Sequence, residues 1–343
     1  MKIVGIPCRM NAKEALFAGI YWSGLAGLYM QLARSTGAVV LMYHSVVTPA
    51  ESRWIHSANS VTVSAFESQM RFLSRRRRVV SMSELVDTIK RGDRIAPGTV
   101  VLTFDDGYVD NLRNAAPILG RYGLPATLYI PTGLVDRHEA QWIDRLYSFV
   151  KTRTANGVDV HPIGRFNLAD PEQNVSFMRA ATDHLLVADR TIRESILRAV
   201  HAQLKPAMDP PRLTMNWDEV REWSRFPGLE VGAHTEEHLD LSSCSPDLAF
   251  AEISRSVNRV REVLNQPVKH FSFPYGRSTS QTREMVWKAG LESAVASAPD
   301  PRVRDNTELN WIPRVAAPAS PTLFRFFTSP AYPDLPIRLI NRA

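Results

Sequence analysis

Val100-Val101-Leu102-Thr103-Phe104-Asp105-Asp106-Gly107-Tyr108 is an apolar run that ends in two adjacent acids and a glycine. An uninterrupted apolar stretch of this length reads as a strand buried on both faces, the kind found in parallel sheets. Along a strand, neighbouring side chains point to opposite faces, so a straight strand would separate Asp105 from Asp106. A bend at Gly107 would let both reach one cavity, where one acid can bind a cation and the other accept a proton. The competing reading is a plain turn, because Asp and Gly are favoured wherever a chain reverses.

A second cluster, Gly232-Ala233-His234-Thr235-Glu236-Glu237-His238, bears on that choice. His234 and His238 stand four apart, a spacing that puts two imidazoles on one face of a helix or helical turn. The preceding Leu229-Glu230-Val231-Gly232-Ala233 reads as a short strand running into a loop, where active-site residues of α/β proteins emerge. Two His and one Asp, with a fourth position left for water, are the ligand set of a catalytic zinc or a related divalent ion. Neither cluster contains Cys, which argues for hydrolytic metal chemistry over a closed structural site.

Together the two segments resemble the polysaccharide deacetylase (NodB-homology, carbohydrate esterase family 4) domain. Its first motif, Thr-Phe-Asp-Asp-Gly, matches Thr103 to Gly107, and its second, His-Ser/Thr-x-x-His, matches His234 to His238. A third, Arg-x-Pro-Tyr-Gly, is recognisable as Ser272-Phe273-Pro274-Tyr275-Gly276, with Ser in place of the Arg that holds the catalytic Asp in much of the family. Arg277, Arg302 and Arg314 are the candidates to replace it. The variant is similar to the circularly permuted exopolysaccharide-deacetylase branch, whose acid His lies near the N-terminus in a Leu-Met-Tyr-His strand. Val39-Val40-Leu41-Met42-Tyr43-His44 fits that pattern, and no His follows His270.

The resemblance covers roughly Val39 to Ala317. It implies a distorted (β/α)7 barrel and N-deacetylation of N-acetylhexosamine units in a polysaccharide or its precursor. It implies Asp106, His234 and His238 as ligands of a divalent metal, zinc first, and Asp105 as base. It also implies the Tyr275 backbone N–H as oxyanion donor and His44 as acid, with Tyr108 and Pro274 near substrate. An O-acetyl ester, a non-sugar amide, or a purely carbohydrate-binding relative are the alternatives.

With 343 residues, 44% hydrophobic and 22% charged, the chain is large enough for one α/β barrel with additions. Strands marked by Leu41, Val100, Ala126, Val231 and Phe271 alternate with helical stretches at 64–74, 83–91, 248–264 and 280–289. That alternation predicts a parallel sheet or barrel, and periodicity alone does not separate the barrel from a doubly wound sheet. Residues 38–320 are assigned to the barrel, with a largely helical insertion at about 136–214 and a tail from 321. The insertion could present Trp142 to sugar rings, or Trp142 and Leu146, at helical spacing, could pack it onto the barrel. The packing reading is preferred.

Residues 1–37 form a separate N-terminal segment in this reading. Ala15 to Ala33 carries 19 residues without a charge, yet three glycines, Ser23 and Gln31 dilute it. A helix packed on the barrel or lying on a membrane surface is expected, rather than a span. Net charge is +6, and Arg75-Arg76-Arg77-Arg78 is the densest basic block. Without aromatic interleaving it reads as a solvated helix end, not a nucleic-acid site, with contact to an anionic membrane leaflet as the alternative. Cys8 and Cys244 imply no disulfide framework. His56, His138, His161, His184, His201 and His270 lie outside the motifs and are expected to be bystanders, most of them at the surface.

Overall fold

Seven parallel strands close on themselves in the computed structural model, which describes residues 37–298 and 300–330. In chain order they are β1 Ala38–Tyr43, β2 Thr99–Phe104, β3 Ala126–Ile130, β4 Leu229–Ala233, β5 His270–Ser272, β6 Ser293–Ser297 and β7 Ile312–Ala316. Each pairs in parallel with the next, and β7 returns to β1 with Leu41 opposite Val315. The closure selects the expected barrel over a doubly wound sheet. Two short segments fill the remaining edges: Arg78–Val80 lies parallel to the start of β2, and Arg302–Val303 antiparallel to the start of β1.

Alternation along the strands divides the apolar residues into an inner and an outer set. Val39, Leu41, Val100, Leu102, Phe104 and Leu128 pack outward with Phe66, Met70, Trp223 and Ile253 of the surrounding helices. Val40, Val101, Tyr129, Val295 and Ile312 pack together with Met82, Leu85 and Val86 of the helix Met82–Lys90. Asp105 is in phase with Val101 and Thr103, and Arg314 with Ile312. The same two-residue period that builds the core therefore aims both charged residues into it.

The helices begin where small polar side chains accept the orphaned N–H groups of the first turn. Thr62 and Ser245 do this for Val63–Arg76 and Pro246–Leu264, and Asn216 with Glu219 forms a capping box on Trp217–Arg225. Between β3 and β4 the chain builds a unit with a core of its own around Leu146, Phe149, Phe177, Leu197 and Val200. It contains the helix Trp142–Thr152, a hairpin of Gly157–Val160 with Gly164–Asn167, and the helices Pro171–Val187 and Arg190–Leu204. The chain breaks between these last two helices. Ala188 is extended, and the Asp189 carboxylate caps the second by accepting from the Ile192 N–H.

Arg75, Arg76 and Arg78 are exposed at the end of one helix and the start of the next strand. Residues 15–33 and Cys8 lie outside the described residues, as does most of the tail. Among the described residues no helix is long and apolar enough to cross a membrane.

His270 departs from the surface expectation. It is buried at the start of β5, with its ring nitrogens 2.8 Å from Ser83 Oγ and 2.9 Å from Ser293 Oγ. Burial pushes its pKa down to about 4, against about 6.5 for a free histidine. The unfolded chain therefore binds the proton more readily, and stability from this group is lost as pH falls from about 6.5 toward 4. Denaturant midpoints should drop further between pH 7 and pH 5 in the wild type than in His270→Gln. Equal drops would remove His270 as the cause.

Candidate active site

The two acids part company at the end of β2. Asp105 continues the strand, donating its backbone N–H to Tyr43 O at 3.0 Å. Asp106 turns into the left-handed region at φ 73°, and Gly107 follows at φ 65°, so the reversal begins one residue earlier than Gly107 alone would place it. At Gly107 a Cβ would lie 3.1 Å from Ile130 Cγ2, which favours glycine on space as well as conformation.

Asp105 meets Arg314 inside the barrel in a bidentate pair, Nη1 to Oδ1 at 2.8 Å and Nη2 to Oδ2 at 2.6 Å. The guanidinium also donates to Ser272 Oγ at 2.8 Å and Thr103 Oγ1 at 3.2 Å. Of the three candidate arginines, Arg314 takes the place of the missing motif Arg, and Ser272 is one of its acceptors. Arg277 instead pairs with Asp240, and Arg302 with Asp300. Burial works to raise the Asp105 pKa, but Arg314, His234 and His44 together hold it below the ordinary carboxylate value.

Asp106 faces the histidines. Its Oδ1 lies 3.2 Å from His238 Nε2 and 3.7 Å from His234 Nε2, and one donor atom from each of the three buried residues falls within 4.8 Å of the others. The pair is not on a helical turn. His234 follows β4 directly, and Thr235 (φ 66°) and His238 (φ 51°) both adopt left-handed backbone. A loop forms because the Glu252 carboxylate, from Pro246–Leu264, accepts the backbone N–H groups of Glu236 and Glu237 at 3.0 and 2.8 Å. With Asp106 and Tyr275 (φ 57°), four non-glycine residues of the site are held in this costly conformation.

The donor set fits a divalent cation. His234 Nδ1 lies 2.7 Å from Ser272 O, an acceptor only, so that nitrogen carries the ring proton and Nε2 is left bare toward the centre. Burial pushes the His234 pKa down to about 4, which keeps the ring neutral and able to ligate. Burial works to raise the Asp106 pKa, but His238, His44 and His234 hold it well below the carboxylate range. One carboxylate oxygen and two imidazole nitrogens make a donor set for a divalent ion.

His44 follows β1 with 22% of its side chain exposed, its Nε2 4.0 Å from Asp106 Oδ2. Asn111 fixes the backbone there by donating to His44 O at 2.6 Å. Tyr275, after the buried Pro274, stacks edge-on to His238 with ring centroids 4.7 Å apart.

Three expected substrate contacts are not open surfaces. Tyr108 is buried and donates its hydroxyl to Asp144 Oδ2 at 2.6 Å. Pro274 is buried beneath the turn. Trp142 is 7% exposed, belongs to the core of the insertion, and donates its indole N–H to Tyr275 Oη at 2.9 Å. Trp142 and Leu146 lie in the insertion's own core, against which Tyr275 of the barrel packs. Gln141, which the sequence reading passed over, donates Nε2 to Asp106 Oδ1 at 2.8 Å.

The family model for polysaccharide deacetylase matches residues 93–294, more than half of the chain. Among curated proteins, YxkH of Bacillus subtilis (strain 168) is 21% identical over 269 residues, 78% of this chain and 66% of the relative. The poly-beta-1,6-N-acetyl-D-glucosamine N-deacetylase of Staphylococcus aureus (strain MRSA252) is 27% identical over 183 residues, 52% of this chain and 62% of the relative. Each alignment thus spans less than two thirds of the relative's own length. Among solved structures, the Streptococcus pyogenes deacetylase PplD in complex with acetate has a TM-score of 0.58 at 18% identity, covering 86% of this chain and 99% of that one. IcaB from Ammonifex degensii has a TM-score of 0.55 at 18% identity, covering 87% and 98%. At such identities the structural likeness concerns the fold, and it is the fold built here. Since the matched region takes in the acid pair, both histidines and the Pro-Tyr-Gly turn, this chain belongs to the polysaccharide deacetylase family.

Proposed function

We propose that this protein is a metal-dependent hydrolase that removes N-acetyl groups from N-acetylhexosamine units of a polysaccharide or its precursor. The observation that carries this reading is the division of labour between adjacent acids, Asp106 toward His234 and His238, Asp105 toward Arg314. A divalent ion, zinc first, held by Asp106, His234 and His238 would polarise the acetamide carbonyl and acidify water. Asp105 accepts the proton of the water whose oxygen bonds to the carbonyl carbon. The Tyr275 backbone N–H stabilises the resulting oxyanion. His44 delivers a proton to the nitrogen as the C–N bond breaks, releasing acetate and a glycan amine. The N-deacetylase named among the relatives supports the acetamide as the bond cleaved.

Acetate release from N-acetylglucosamine oligomers and from acetylated xylan, each with and without a chelator, tests the reading. Release from the oligomers that stops with chelator and returns with Zn2+ is expected. Release from xylan alone would move the assignment to an O-acetyl esterase, and release indifferent to chelator would sink the metal role. For the acid, His44→Ala should lower kcat by about 10²-fold. An unchanged kcat would take His44 out of the reaction.

A further inference from the structure

The insertion reaches the site through one phenol. Tyr275 Oη accepts from Trp142 Nε1 at 2.9 Å, lies 3.1 Å from His238 Nδ1, and donates to His238 O at 3.3 Å. A phenol has a single proton, and here it is directed to the His238 carbonyl. A hydroxyl directed at that carbonyl accepts from the His238 ring, which would place the ring hydrogen on Nδ1 and leave Nε2, 3.2 Å from Asp106 Oδ1, free for a cation.

Arg193, from the helix Arg190–Leu204, secures the same spot from behind. It is buried with its guanidinium 5.7 Å from the Trp142 ring centroid. Nε and Nη2 donate to the carbonyls of Leu185 and Leu186 at 2.8 and 3.1 Å, at the end of Pro171–Val187. Nη1 donates to the carbonyls of Glu237 and His238 at 3.3 and 3.4 Å, and Nη2 also reaches Tyr275 Oη at 3.5 Å. One planar cation thus joins a helix end of the insertion to the histidine loop, a geometry that the point charge of Lys cannot reproduce.

We propose that the Tyr275 hydroxyl is the positioning group of the metal centre, fixing the tautomer and orientation of His238, and that the insertion sets it through Trp142 and Arg193. The inference rests on the reading of Asp106, His234 and His238 as ligands. It turns the insertion from a cover into a supporting wall, and makes Tyr275 serve twice, by its hydroxyl toward the ligand and by its backbone toward the oxyanion.

Zinc affinity measured by competition with a chromophoric chelator, together with 15N spectra of the histidine rings in metal-free protein, tests this. Tyr275→Phe keeps the backbone N–H and should weaken Zn2+ binding by about 10–100-fold. Trp142→Phe should weaken it in the same direction by less, and the double variant should bind no more weakly than Tyr275→Phe, because both act through one atom. Arg193→Lys should behave as Arg193→Ala does. Folded Trp142→Phe protein with wild-type zinc affinity, or losses that multiply in the double variant, would overturn the proposal. Wild type that fails to bind Zn2+ would sink the ligand assignment instead. The ring spectra need no ion: a protonated His238 Nδ1 in wild type that is lost in Tyr275→Phe is expected, and identical spectra would overturn the positioning role.

Discussion

Asp105→Asn should retain wild-type zinc content and lose about 10²–10⁴-fold in kcat, the usual contribution of a positioned general base. The separation of the two outcomes follows from geometry. Asp105 is not among the three clustered donor residues, and the amide oxygen of Asn can still accept from Arg314. Asp106→Asn, one residue along, should lose zinc as well, because it removes the anionic donor from a set with two neutral ones. Each variant is checked by metal analysis after gel filtration and by initial rates of acetate release. Wild-type turnover in Asp105→Asn would refute the assignment of the base. Zinc loss in that variant would show that the two acids are not functionally separate.

Much of this site is legible in the chain because its parts sit at strand ends, where an apolar run followed by polar residues marks the exit. Thr103 to Gly107, Gly232 to His238 and Tyr43-His44 all have that form, and the barrel brings them together. Two of the seven strands escape such a reading. Ser293-Ala-Val-Ala-Ser is built from small residues, and Ile312-Pro-Arg-Val-Ala carries both a proline and a charge, so neither looks like a buried strand. Arg314 could be named as a candidate but not chosen, since its inward direction depends on β7 being a strand at all. The helical turn expected at His234 fails for a related reason. The spacing of four is right, but Glu252 caps the loop from another element and Thr235 and His238 turn left-handed. Gln141 and Arg193 carry no local signal whatever, because their partners, Asp106 and the carbonyls of Glu237 and His238, are reached only through the packing of the insertion.

Arg314→Met should be the most damaging change outside the ligands themselves. Arg314 is 3% exposed and Asp105 equally buried, so removing the cation leaves a carboxylate in the barrel with Ser272 Oγ, 3.4 Å away, as its remaining side-chain donor. Breaking a buried pair from one side costs roughly 3–5 kcal/mol, more than the intact pair need contribute over an apolar replacement. The pH dependence gives the change a signature that simple destabilisation lacks. In wild type the folded-state pKa of Asp105 is depressed, so its contribution to stability is present above the unfolded value of about 3.9 and lost as pH falls through the folded one. Without Arg314, burial, which favours the protonated form, is opposed only by His234 and His44, so the Asp105 pKa should rise. The acidic limb of the kcat/KM profile should therefore move upward, with activity partly regained at high pH, while zinc content in the folded fraction is unchanged. A variant destabilised to the same degree elsewhere in the barrel, Val101→Ala for instance, should lower the melting temperature and leave that limb in place. If Arg314→Met also left it in place, the guanidinium would be a packing element rather than the group that keeps Asp105 ionised.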